Sequence, residues 1–215
     1  MRKGLAPSGA VRRPRRPKTR RKRFLVYCEG RETEPSYLRG LIQFLRSPLI
    51  EIEIGEEQRD PKGLVELAKA TRDQAKRAAK REKDDSLLYD EVWCVFDVDR
   101  HTRLPDAVQQ AAACSIDLAI SNPCFELWIL IHFRDQWAYI SGGEAQSGVR
   151  RIIRSYEKKV DYTWITGKGA AAIGRAMAMD RRAKESGGKL VNPTTGMWRL
   201  VTELCKLADF PVDGL

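Results

Sequence analysis

Histidines and paired cysteines are scarce in this 215-residue chain, which has two histidines, five cysteines and no Cys-x-x-Cys pair. Clustered ligands of the kind that hold zinc are therefore missing, and an odd cysteine count does not suggest a disulfide framework. We expect a reduced, cytoplasmic protein in which most cysteines lie in apolar segments and are chemically inert.

Long apolar runs are also missing from the chain. No segment reaches the roughly 18 to 20 apolar residues that span a bilayer, and the N-terminus lacks the apolar centre of a secretory signal. We therefore expect no membrane association. With 42% hydrophobic and 32% charged residues, the chain can form a core, and its length suits one domain with a small additional segment.

The net charge of +10 is concentrated at one end of the chain. Residues 1–23 contain eleven of the 39 Lys and Arg residues and no acid, which leaves 28 basic against 29 acidic residues elsewhere. We interpret residues 1–22 as a disordered basic arm that binds the phosphates of nucleic acid. A solubilising extension is the alternative. The arm residues predicted to bind nucleic acid are Arg12, Arg13, Arg15, Arg16, Arg20 and Arg21.

Hydrophobic periodicity predicts that strands and helices alternate through the first two thirds of the chain. Predicted strands lie at 24–28, 50–54 (a half-exposed strand suited to a sheet edge), 92–96 and 116–120; predicted helices follow Thr33, Pro61 and Pro105, and a fourth begins at Pro123 with Asn122 as N-cap. Such alternation favours parallel strands joined by right-handed crossovers. The predicted fold is α/β, with a mostly parallel, Rossmann-like sheet flanked by helices.

The pattern is weaker after residue 135. A Gly/Ser-rich loop is predicted at 141–148, followed by helices at 150–159, 170–184 and 201–207. The predicted organisation is therefore the arm at 1–22, an α/β core at 23–135, and a mainly helical C-terminal extension at 136–215 that packs on the core.

Acidic side chains follow the predicted strands where those strands end. Glu29 follows the first strand, Asp97 and Asp99 the third, and Glu126 lies about one helical turn beyond the fourth. Ligands bind at the carboxyl ends of strands in open parallel sheets, and residues two apart on an extended segment face the same way. Hard oxygen ligands without His or Cys suit Mg²⁺ or Mn²⁺. The alternative is that these acids are ordinary solvated loop residues.

Two groups of residues resemble known protein families. Glu29-Gly30 followed by Asp97-Val98-Asp99 resembles the Toprim domain of topoisomerases, primases and OLD-type nucleases, although this motif alone is weak. The more specific segments EGRETEPSY (29–37) and SNPCFELW (121–128), with His132-Phe133 and NPTT (192–195) downstream, resemble the RloB family. The resemblance extends over about residues 23–205.

This resemblance implies a Toprim-like core and a role for each acid. Asp97 and Asp99 are expected to hold a divalent metal, Mg²⁺ or Mn²⁺. Glu29 is expected to be a further ligand, or the general acid or base. Glu34 is a candidate ligand, or alternatively a first-turn acid that complements the helix dipole. Glu126 has the same alternative, but it belongs to the specific segment and is expected to be catalytic.

The same resemblance implies a metal-dependent nuclease of restriction or phage defence that acts on DNA or RNA, often encoded beside an ATPase partner. The alternative is a non-catalytic module that binds nucleic acid or docks a partner. Lys159 and Lys168 are candidate phosphate-binding residues, or alternatively ordinary surface lysines. His132 and Trp128 are expected in the core. The sequence leaves the oligomeric state open.

Overall fold

A computed structural model of the protein describes residues 20–55, 57, 59–98, 104–188 and 190–215. Five strands and seven α-helices lie in these ranges: β1 (Lys22–Cys28), α1 (Thr33–Leu45), β2 (Ile50–Gly55), α2 (Pro61–Glu82), β3 (Glu91–Asp97), α3 (Leu104–Cys114), β4 (Asp117–Asn122), α4 (Glu126–Leu130), α5 (Gly142–Ile152), α6 (Gly169–Glu185), β5 (Thr194–Thr195) and α7 (Met197–Leu207). Three short 3₁₀ turns complete them, at Asp85–Leu87, Tyr162–Trp164 and Val212–Gly214.

The strands form one sheet in the order β2-β1-β3-β4-β5. The first four strands are parallel, and β5 pairs with the end of β4 in the antiparallel direction. Strand order and helical crossovers together confirm the predicted α/β fold with a mostly parallel sheet. The carboxyl ends of β1, β3 and β4 therefore lie side by side at one edge of the sheet, the edge formed by the strand ends and not by the outer strand β2.

Helices cover both faces of the sheet, because alternate residues of the central strands point to opposite sides. Val26 and Val95 join the core formed with α1, α4, α5, α6 and α7. Leu25 and Phe96 join the smaller core formed with α2 and α3. Burial on both faces explains why β1 and β3 are continuous apolar runs rather than alternating ones.

The edge position of β2 is confirmed. Its Ile50, Ile52 and Ile54 face or adjoin the core, whereas the carboxylates of Glu51 and Glu53 lie 3.3 and 3.4 Å from the guanidinium of Arg23 on β1. Charged residues on the outer strand are typical of sheet edges that do not pair further.

The start of α5 corrects the loop predicted at 141–148. Ser141 and Glu144 form a capping box, in which the Ser141 hydroxyl accepts from the Glu144 N–H and the Glu144 carboxylate accepts from the Ser141 N–H. Burial of Ala145 and Val149 adds to this, and the helix forms despite its glycines. It ends at Ile152, so the helix predicted at 150–159 is also wrong.

The segment after β4 corrects a second local prediction. β4 continues through Asn122, and the Asn122–Pro123 peptide bond is cis. α4 begins only at Glu126, so Asn122 is not its N-cap. The Asn122 side-chain amide instead donates to the carbonyl of Leu190.

The structure can be compared with two predicted parts of the chain, the basic arm and the C-terminal extension. Residues 1–19 lie outside the described residues, whereas Lys22 already belongs to β1, and the side chains of Arg20 and Lys22 pair with Asp90. The extension is largely helical, but it also contributes β5 to the sheet. Within the described ranges, no helix has both the length and the apolar character needed to cross a membrane.

Candidate active site

Four carboxylates lie near enough to one another for their charges to interact, at the edge of the sheet where β1, β3 and β4 end. Glu29 directly follows β1, and Asp97 is the last residue of β3. Glu34 lies in the first turn of α1, and Glu126 is the first residue of α4. We call Glu29, Glu34, Asp97 and Glu126 the acidic cluster. The sequence predicted each of these acids separately as a site residue. The side-by-side order of β1, β3 and β4 explains why the acids lie near one another.

Backbone contacts hold two members of the acidic cluster in place. The Glu29 carboxylate accepts from the Asp97 N–H at 3.2 Å, which joins the ends of β1 and β3. The Glu34 carboxylate accepts from the Gly30 N–H at 3.1 Å. A Cβ at Gly30 would collide with that carboxylate, so the glycine permits its close approach to the backbone.

Glu126 is held by a hydroxyl from the C-terminal part of the chain. Tyr156, just after α5, donates its phenolic O–H to Glu126 Oε1 at 3.0 Å. Both side chains are buried, and Glu126 is only 5% exposed. This hydrogen bond fixes one carboxyl oxygen of Glu126 and so orients the other.

The four acids interact electrostatically. Burial raises the pKa of Asp97 well above its usual range, and the charges of Glu34, Glu126 and Glu29 raise it further, whereas the Phe125 N–H opposes the shift. Burial also raises the pKa of Glu34, with smaller contributions from Glu126 and Glu29 and with opposition from backbone N–H groups. Ionisation of Asp97 and of Glu34 is therefore disfavoured by burial and by repulsion from the neighbouring acids.

The donor chemistry of the cluster fits a hard divalent cation, which prefers carboxylate oxygens. Among residues 20–98 and 104–215, apart from three masked single positions, no three Asp, Glu, His or Cys side chains converge closely enough to hold an ion. Glu29, Glu34 and Glu126 each direct an oxygen to a protein donor instead. Asp99 lies outside the described residues, so its metal role stays a prediction.

Comparison with known proteins identifies the family. Residues 24–204 match the family model described as RloB-like protein. The chain belongs to the RloB-like family. Searches among curated proteins and among solved structures gave no match. The matched segment contains the whole acidic cluster and Tyr156.

Of the other predicted site residues of this RloB-like protein, those that the structure describes are not members of the acidic cluster. Lys159 is exposed in a groove beside α1. Lys168 lies 5.5 Å above the ring of Phe133 and donates to the Trp164 carbonyl at 3.3 Å. Arg20 pairs with Asp90, and Arg21 is exposed. Of the remaining arm residues, Arg12, Arg13, Arg15 and Arg16 lie outside the described part of the chain.

Sequence reasoning on the RloB-like chain missed the role of Tyr156, although it placed His132 and Trp128 correctly in the core. His132 Nδ1 bonds the Trp128 carbonyl at 2.8 Å, and both side chains are buried. Tyr156 lies 30 residues from Glu126, in a segment that the sequence wrongly predicted as part of a helix. No local signal in the sequence could have paired the two.

Proposed function

We propose that this RloB-like protein is a metal-dependent nuclease that hydrolyses phosphodiester bonds of DNA or RNA. The observation that carries the proposal is the acidic cluster, in which four carboxylates from separate parts of the chain interact electrostatically at one edge of a mostly parallel sheet. Ligands of open α/β sheets bind at this edge. Restriction or phage defence is the setting that we propose for the activity, following the family resemblance.

Mg²⁺ or Mn²⁺, when bound, would supply charge neutralisation at the reacting phosphate and a more acidic water. Asp97 and Asp99 are the proposed ligands, with Glu29 and Glu34 as further candidates. The same repulsion that raises the pKa of Asp97 and Glu34 would favour the uptake of a cation, since a positive charge stabilises the ionised carboxylates.

Glu29 and Glu126 are proposed for proton transfer and for contact with water or substrate, because hydrogen bonds within the protein already orient both side chains. Glu29 is placed by the Asp97 N–H, which suits a group that must accept or release a proton at one defined position. Glu126, fixed through one oxygen by Tyr156, has its second oxygen for a water or for the substrate. We propose Glu29, Asp97, Asp99 and Glu126 as the catalytic residues.

The test compares Asp97→Asn with a matched control. The full chain is incubated with supercoiled plasmid, single-stranded DNA and tRNA, in Mg²⁺, in Mn²⁺ and in EDTA. Asp117→Asn is the control, because Asp117 is the first residue of β4 and lies at the opposite edge of the same sheet. We expect cleavage by the wild type and by Asp117→Asn only with metal, and a loss of at least about 100-fold in Asp97→Asn, as for other groups of the catalytic machinery.

Two results would contradict the proposal. Equal cleavage by Asp97→Asn and the wild type would show that the acidic cluster takes no part in the cleavage reaction. Binding of the nucleic acids without cleavage in either metal, alone and with any ATPase encoded beside the protein, would favour a non-catalytic module that binds nucleic acid or docks a partner.

A further inference from the structure

An open groove with a volume of about 880 Å³ runs along α1, on the side away from the sheet interior. One wall is α1 from Ser36 to its C-cap Arg46, and the other is the segment 159–166 that contains the Tyr162–Trp164 turn. We call this the α1 groove. Its volume is in the range of ligand-binding clefts.

Basic side chains predominate on the walls of the α1 groove. Arg31, Arg39, Arg46 and Lys159 line it, against the two acids Glu32 and Asp161. Arg39, Arg46 and Lys159 are exposed and form no ion pair with another residue in the described part of the chain. Exposed guanidinium and ammonium groups that lack acidic partners suit a polyanion.

Packing between the two walls makes the groove a built feature of the fold. A Cβ at Gly40 would lie 2.6 Å from Tyr162 Cβ, so the glycine allows the 3₁₀ turn to rest directly on α1. The Ser36 hydroxyl accepts from the Val160 N–H at 2.8 Å and donates to the Thr33 carbonyl at 2.9 Å. These contacts hold Lys159, next to Val160, in line with the arginines of α1.

Both walls of the α1 groove begin within a few residues of the acidic cluster along the chain. On one wall, Arg31 and Glu32 line the groove and lie between Glu29 and Glu34. On the other wall, Lys159 follows three residues after Tyr156, whose hydroxyl bonds Glu126. The carboxylates themselves do not line the groove, but a strand of nucleic acid bound there would lie near them.

We propose that the α1 groove binds the sugar–phosphate backbone of the nucleic acid substrate and directs it to the acidic cluster, an inference that rests on the proposed function. We expect recognition of the backbone rather than base stacking, because the aromatic residues that line the groove already pack against other side chains. Tyr162 is buried, and the ring of half-buried Phe44 is already 5.3 Å from Tyr162 and 5.6 Å from Phe210. The groove therefore contributes affinity without sequence preference.

The test measures binding in EDTA, so that it does not depend on hydrolysis. Fluorescence anisotropy of the full chain with a single-stranded DNA and a single-stranded RNA oligonucleotide gives the affinity between 50 and 300 mM salt. The variant is Arg39→Gln with Lys159→Gln. The control is Arg77→Gln with Lys80→Gln, which removes the same two charges from the exposed side of α2, on the other face of the sheet.

We expect the groove variant to lower the slope of log affinity against log salt by roughly 1.4, because each single-strand phosphate contact contributes about 0.7. The control should keep the wild-type slope. Gln43→Glu, which adds a negative charge to the exposed wall of α1, should weaken binding without altering the unfolding temperature.

The outcomes separate this inference from the proposed function. Reduced binding in the groove variant alone supports the groove, even if no substrate is ever cleaved. Equal losses in the groove and control variants, or no loss in either, would overturn it, even if metal-dependent cleavage is found. Failure of the wild type to bind either oligonucleotide would overturn it as well.

Discussion

Glu29 and Asp97 are joined at the ends of two adjacent strands, with Glu29 Oε2 3.2 Å from the backbone nitrogen of Asp97. The bond uses the backbone of Asp97 and not its carboxyl, whose pKa is raised first by burial and then by the charges of Glu34 and Glu126. The two neighbouring residues thus have different electrostatic environments. A single substitution can test this.

Asp97→Asn should abolish metal-dependent cleavage. In EDTA, the same variant should be more stable to unfolding than the wild type. The Asp97 pKa is raised in the folded state, so wild-type stability falls as pH rises above the unfolded value of about 3.9. Asparagine removes that dependence. At pH 7.5 we expect a melting temperature about 2–4 °C higher, the shift for about 1 kcal/mol in a domain of this size.

The measurement is thermal unfolding in EDTA at pH 5.0 and pH 7.5. Glu66→Gln, which removes an exposed acid from α2, is the control for loss of an acid. A variant less stable than the wild type at pH 7.5, or a gain that does not grow with pH, would contradict the electrostatic coupling.

Tyr156→Phe should destabilise the protein and impair cleavage together. The hydroxyl donates to the buried Glu126 at 3.0 Å, and a buried acceptor left without its partner costs about 1–3 kcal/mol. Urea unfolding measures this change. Tyr139→Phe is the matched control, since Tyr139 is 74% exposed, and it should change the free energy of unfolding by less than about 0.5 kcal/mol. Similar values for the two variants would show that the bond contributes nothing.

The central strands and the edge at which the acids meet could be predicted from the sequence. β1 and β3 are short apolar runs between charged residues, and that pattern reports burial on both faces. Once the strands are parallel, their carboxyl ends coincide, so Glu29 and Asp97 must be near each other. The roles of these acids in metal binding remain predictions.

Features that depend on tertiary contacts could not be predicted. β5 is two residues long and exists only through its pairing with Ser121 and Asn122. Tyr156 meets Glu126 because the segment after α5 folds back over α1. In the sequence, Arg39 and Arg46 cannot be told from the many other basic residues. Only the structure shows that both line the α1 groove.

Gly40→Ala should destabilise the protein by pushing the Tyr162–Trp164 turn away from α1. The added Cβ would lie 2.6 Å from Tyr162 Cβ, and overpacking of this kind costs about 1–3 kcal/mol. Gly174→Ala is the matched control, because Gly174 lies within α6 and a Cβ there meets nothing within 4 Å. It should stabilise by about 0.5–1 kcal/mol. Urea unfolding of both variants checks the opposite signs, and a stabilising Gly40→Ala would contradict the close packing.

His132 should make stability depend on pH in the acid range. Burial lowers its pKa to about 4, with smaller contributions from Lys168 and Arg175. Since the folded pKa lies below the unfolded value of about 6.5, protonation favours the unfolded chain. The stabilisation present above pH 6.5 is therefore lost as the pH falls toward 4.

The variant His132→Asn isolates this contribution, because asparagine can still donate to the Trp128 carbonyl that His132 bonds at 2.8 Å. It should be less stable than the wild type at pH 7, since it fills the site less well. The difference should shrink by about 2–3 kcal/mol between pH 7 and pH 4.5, given about 1.4 kcal/mol for each pKa unit. Urea unfolding across this range measures it. A difference that stays constant with pH would mean that His132 takes up a proton as readily in the folded protein as in the unfolded chain.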